Sequence, residues 1–126
     1  MGNVSICKIN FEDIQNKIEK ENDFILISTL SEDLQNCLIY KTVQSNKEIE
    51  VINSLLKNDK KKHIIIYGKN SYDMLVLKKY KQLIQLGFEN ISIYTGGLFE
   101  WLLLQDIYGD DMFKTTNNVI DILKYK

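Results

Sequence analysis

Three short apolar runs set the limits on how this chain can fold. FILISTL (Phe24–Leu30), HIIIY (His63–Tyr67) and ISIY (Ile91–Tyr94) are nearly continuous rather than alternating. A strand of that kind has both faces covered, as in a parallel sheet held between helices. The segments between the runs have helical spacing instead. Phe11, Ile14 and Ile18 line one face, as do Ile49, Ile52, Leu55 and Leu56, and then Val76, Leu77, Tyr80, Leu83 and Ile84. Strand and helix signals therefore alternate. They predict one α/β domain with a central, mostly parallel five-stranded sheet flanked by helices on both faces.

The boundaries follow from local signals. Val4–Ile9 reads as an edge strand, and Asn10 offers an N-cap oxygen to the first helix. Cys37–Val43 reads as a weaker, edge-like strand. Ser45 and Glu48 have capping-box spacing ahead of the second helix. Gly87 is placed to end the third helix, and Leu98–Tyr108 reads as an unusually apolar helix stopped by Gly109. Residues 1–109 make the domain. Residues 110–126 form a tail that packs on it or extends from it, with one amphipathic turn around Val119–Leu123.

A chain of 126 residues suits one domain and buries roughly two-thirds of its unfolded surface, enough to fold without a disulfide or a metal. The net charge of −1 gives no broad attraction for nucleic acid or an anionic membrane. The lysine run at Lys57–Lys62 has no interleaved aromatics, so it reads as a solvated connection. No apolar run approaches the ~18 residues of a membrane span. Cys7 and Cys37 lack metal-ligand spacing and read as reduced thiols of an intracellular protein, cytoplasmic or within a virion. Nothing calls for a cofactor or a metal. Ala, Pro and Arg are absent, a bias that points to an AT-rich genome such as a protist's or a large DNA virus's.

The stretch His63–Trp101 runs strand, six-residue loop, helix, LGF, strand, GG and then Trp101. In that order it resembles the rhodanese-like domain. FILIS stands where that family often has an extended LIDVR segment, and LIYKT corresponds to its HIPGA segment. The resemblance implies a loop opened by a cysteine whose thiolate accepts a sulfane sulfur, wrapped by backbone N–H groups. Here Gly68 takes the cysteine position, Ser71 the small mid-loop position and Asp73 that of the closing basic residue. The implied nucleophile is missing, and a carboxylate at Asp73 is expected to repel an anion. Related phosphatase loops close with an arginine that grips phosphate bidentately; without arginine, that activity is not expected.

Other chemistries fit the loop less well. Ser71 has no activating base, because the single histidine, His63, lies at the far end of the strand, roughly 17 Å away. Ser71 or Asn70 is expected to cap the following helix, and His63 to sit at a strand end near solvent. A P-loop would need glycine at His63 and Ser or Thr at Asn70. The candidate anion loop is thus Gly68, Lys69, Asn70, Ser71, Tyr72 and Asp73. Leu98, Phe99, Trp101, Leu102, Leu104 and Tyr108 form a candidate interaction surface. The expected role is a non-catalytic module that binds a protein partner or itself, not nucleic acid or membrane. The alternative is a divergent sulfurtransferase working through Cys37 or a partner's cysteine.

Overall fold

A computed structural model describes residues 6–20 and 23–126. Strands β1 (Cys7–Ile9), β2 (Phe24–Ser28), β3 (His63–Tyr67) and β4 (Ile91–Tyr94) form one four-stranded sheet in the order β1-β4-β3-β2. All its pairings are parallel. Helices α1 (Phe11–Lys20), α2 (Glu48–Asn58), α3 (Met74–Leu86) and α4 (Gly97–Tyr108) cover it.

The two-residue period of the strands sorts the core into two layers. Leu26, Ile65, Tyr67 and Tyr94 pack with Ile14 of α1 and with Leu98, Trp101 and Leu102 of α4. On the other face, Ile27, Ile64, Ile66, Ile91 and Ile93 pack with Ile52 of α2 and with Val76, Tyr80 and Leu83 of α3. The isoleucine runs read as doubly covered strands, and they are.

Local chemistry fixes the helix ends. Asn10 Oδ1 accepts from the Asp13 N–H at 3.1 Å while Asp13 Oδ2 accepts from the Asn10 N–H at 3.0 Å, a reciprocal cap on α1. Gly87 ends α3 at φ 105°, a left-handed conformation that favours glycine, and the buried Phe88 folds back to donate to the Leu83 carbonyl.

Several expectations need correction. The fifth strand is absent among the described residues: the segment 37–43 meets its neighbours through isolated bridges, Leu26 to Thr42 and Ile39 to Thr115. Its consecutive residues Cys37, Leu38 and Ile39 are all buried, and Lys41 turns at φ 74°, so the segment is an enclosed loop rather than an edge. The capping box at Ser45 and Glu48 does not form. Ser45 starts a 3-10 turn, and Glu48 pairs with Lys79 of α3 instead. Ile49 lies outside the apolar stripe of α2, 75% exposed. The first strand begins, as described, at Cys7; Val4 and Ser5 lie outside the described residues.

The tail completes the α1/α4 layer. Phe113 and Tyr125 are buried in that core, and the Trp101 ring meets Phe113 edge-on at 5.0 Å between centroids. Trp101 Nε1 donates to the Lys114 carbonyl at 3.1 Å. Among the described residues, no helix is long and apolar enough to cross a membrane.

Candidate functional site

The loop 68–73 leaves the C-terminal end of β3 and meets the first turns of both α3 and α4. Ligands of open α/β sheets bind at this rim, outside the carboxyl ends of the strands. Two contacts fix the loop from the α4 side. The Leu98 N–H donates to the Gly68 carbonyl and the Phe99 N–H to the Lys69 carbonyl, each at 2.9 Å. Two first-turn N–H groups of α4 are therefore spent on the loop itself. Gly97 makes this approach possible. At φ 71°, a Cβ there would lie 2.9 Å from the Asn70 Cα and N and from the Gly68 O. The GG pair is thus a seat for the loop, and its second glycine is sterically required.

From the other side the loop is tied by Asp73. Its Oδ2 accepts from the Thr29 hydroxyl at 2.9 Å and from the Lys69 N–H at 3.0 Å, and its Oδ1 accepts from the Leu75 N–H at 3.0 Å. Asp73 is therefore the N-cap of α3, the role expected of Ser71 or Asn70. It does not merely repel an anion at the helix start; it is the anion there. A carboxylate beside free N–H groups at a helix N-terminus satisfies donors that would otherwise attract a ligand.

The same side chain closes the space over Gly68. A Cβ added at Gly68 would fall 2.5 Å from Asp73 Oδ2 and 2.6 Å from Val76 Cγ2. Gly68 is buried, so the volume where a first side-chain atom would stand is already filled. Asn70 serves the loop's shape: its Oδ1 accepts from the Tyr72 N–H at 2.9 Å and its Nδ2 donates to the Tyr125 carbonyl at 3.1 Å, pinning loop to tail. Ser71 and Tyr72 face solvent, Tyr72 being 86% exposed. With Met74 and Leu75, Tyr72 separates two open grooves of about 360 and 380 Å³.

Cys37, the alternative nucleophile, is wholly buried in the α1/α4 core, and its Sγ donates to the Asn117 carbonyl at 3.3 Å. Burial pushes its thiol up from the ordinary value, against the opposing pull of its contacts with Thr115 and Asn117. It is held neutral and covered. Tyr67, the last residue of β3, takes the Ile39 N–H on its hydroxyl at 3.1 Å and meets Thr42 at 2.8 Å. Below the loop Tyr94 donates to Glu100 at 2.6 Å.

The candidate surface on α4 divides. Leu98, Trp101 and Leu102 are core residues, and Phe99 and Leu104 are half-buried against the same core. Tyr108 stays exposed, beside Leu103 and Ile107, which were not in that set. The sheet and the tail together cover this part of α4. His63 is also placed more deeply than expected. It is half-buried, with Nε2 2.8 Å from Ser92 Oγ. No group of His, Cys, Asp or Glu that could hold a metal occurs among the described residues.

Comparison with known proteins agrees with this architecture. The family model of the rhodanese-like domain matches residues 35–104. A crystal structure of the Alr3790 protein from Anabaena sp. superposes with TM-score 0.64 at 18% identity, covering 92% of this chain and 97% of that one. The single-domain sulfurtransferase RDL2 of Saccharomyces cerevisiae gives 0.60 at 16% identity, covering 89% and 98%. Ygr203w, described as a yeast protein tyrosine phosphatase of the rhodanese family, gives 0.61 at 13% identity over 93% and 96%. No curated protein matches in sequence.

Proposed function

This chain belongs to the rhodanese-like domain family, and from that premise we propose that it is a catalytically inactive member serving as a protein-binding or assembly module. One observation carries the reading. The position that opens the loop bears no side chain, and the Asp73 carboxylate occupies the space a cysteine there would need. Sulfur transfer of the family's type needs a thiolate at that point, because the new bond is between two sulfurs. The absence of arginine argues likewise against phosphate chemistry in the same loop.

The binding half of the proposal rests on the loop rim. Tyr72, Met74 and Leu75 stand exposed beside these grooves as an apolar projection. Exposed Leu103, Ile107 and Tyr108 on α4 offer a second apolar face for self-association.

Incubation with thiosulfate, cyanide trapping and intact-mass measurement tests inactivity. The expected result is an unchanged mass. A cyanide-labile gain of one sulfur atom would overturn the reading. For association, light scattering is expected to show an oligomer or a partner-bound form that Tyr72→Ala or Ile107→Glu weakens. A strict monomer indifferent to both substitutions counts against the module.

A further inference from the structure

Helices α1 and α2 carry their charges where their own dipoles favour them. Each has acids in its first turn, Glu12 and Asp13 or Glu48 and Glu50, and lysine in its last. Helices α3 and α4 do not follow this rule. After its Asp73 cap, α3 has Lys78, Lys79 and Lys81, no acid, and no cation in its last turn. The last turn of α4 also lacks a cation; it carries Asp106 instead, and exposed Asp110 and Asp111 follow Gly109. Carboxylates at a helix C-terminus oppose its dipole, so these charges do not serve α4 itself. Lys79 is paired with Glu48 of α2, but Lys78, Lys81, Asp106 and Asp110 form no ion pair among the described residues.

We propose that the acidic, apolar end of α4 docks on the basic face of α3 in a second copy of this chain. The contact rests on the assembly-module reading and names its partner. Each side joins an apolar feature to charge of one sign. On α4, Leu103, Asp106 and Ile107 have i, i+3, i+4 spacing and share one exposed face, with Ile107 69% exposed. On α3, a groove of about 300 Å³ runs beside the start of α2, lined by Leu75, Lys78, Lys79, Gln82 and Glu48 among others. Ile107 enters this groove, and Asp106 and Asp110 meet Lys78 and Lys81. Lys114 stands beside Asp111 and offsets part of the acidic charge, but Glu19 lies in the same small cavity, so the region stays acidic. Opposite potentials of this kind steer two copies together and fix their register.

The placement of the two patches sets the form of the assembly. Helix α3 packs in one layer of the core and α4 in the other, on opposite faces of the sheet. Two copies therefore cannot satisfy both patches at once across a two-fold axis. The contact is heterologous: each copy uses its α4 end on one neighbour and its α3 face on another. Contacts of this type continue into a ring or an open chain rather than stopping at a dimer.

The test is sedimentation velocity of the intact chain across a range of concentrations, alone and with Lys78→Asp or Ile107→Asp. The unsubstituted chain is expected to grow past the dimer as concentration rises. Its association should weaken at least about tenfold between roughly 50 mM and 500 mM salt, because the attraction is between solvent-exposed charges. Each variant alone should be monomeric. Mixed together they should form a dimer that grows no further, since the intact α4 end of Lys78→Asp still fits the intact α3 face of Ile107→Asp. Both positions are exposed, and recovery on mixing also rules out misfolding as the cause of the losses. A strict monomer, a closed dimer, salt-independent association or a mixture that stays monomeric each overturns the proposal. A closed dimer leaves the module reading intact, whereas a sulfur adduct in the thiosulfate assay would sink the inactive reading and leave this contact standing.

Discussion

Strand β3 joins two unlike places. At its C-terminal end, N–H groups and a hydroxyl converge on a fixed point, as in an anion site, and the chain has put its own carboxylate there. At its N-terminal end an exposed thiol has a hydrogen-bonded path to an imidazole. One end is built and filled; the other carries an exposed thiol. A fold can thus lose chemistry at its usual rim without losing the geometry, because the donors of that rim also cap helices and seat a loop.

The comparison is sharpened by substitutions that disturb only one end. The largest effect belongs to Gly97→Ala. It combines a left-handed φ of 71° with contacts of 2.9 Å to loop backbone, and should cost about 3–4 kcal/mol in urea denaturation. Gly68→Cys, the change that would restore the family's thiol, follows at about 2–3 kcal/mol, since its Cβ meets Asp73 and Val76. Adding Asp73→Ala should recover part of that loss, and a double variant no more stable than Gly68→Cys would break the account of a filled cradle. Asp73→Ala alone should cost about 2 kcal/mol, by loss of a cap and of the Thr29 and Lys69 hydrogen bonds. Cys7→Ser, at the other end, should move stability by less than about 0.5 kcal/mol. A larger change there would mean that the N-terminal rim is structural after all.

Alkaline pH probes the filled end as well. Burial holds the Tyr67 and Tyr94 hydroxyls protonated far above their ordinary value, and hydrogen bonding to the neighbouring Glu100 adds to the effect at Tyr94. The folded state keeps protons that the unfolded chain releases above about pH 10. Stability is therefore complete below that pH and falls as pH rises past it. Tyr67→Phe should flatten this fall while costing about 1 kcal/mol near neutrality, through the unpaired Ile39 N–H. Denaturant midpoints across the alkaline range would show both.

The strands were legible in the sequence because doubly covered strands need no pattern beyond unbroken hydrophobicity. β3 and β4 fall on the residues read from their apolar runs. The same rule misled at 37–39, where burial comes from the tail and a loop rather than from a sheet. Spacing alone also misled at Ser45, since Glu48 finds a better partner in Lys79, 31 residues away. The absence of a thiol at Gly68 could be read directly from its neighbours in sequence. What Asp73 does could not, because its hydroxyl partner, Thr29, lies 44 residues earlier. Likewise nothing local announces that Cys7, Ser92 and His63 meet; the parallel register of the sheet brings them together.

The way the tail closes over the core has a kinetic consequence. Cys37 reaches Asn117 across 80 residues and Asn70 reaches Tyr125 across 55, so these links close large loops and should form late in refolding. Before they form, the Cys37 thiol stands uncovered. A brief pulse of alkylating reagent during refolding would mark that interval as a clock, labelling early molecules and sparing finished ones.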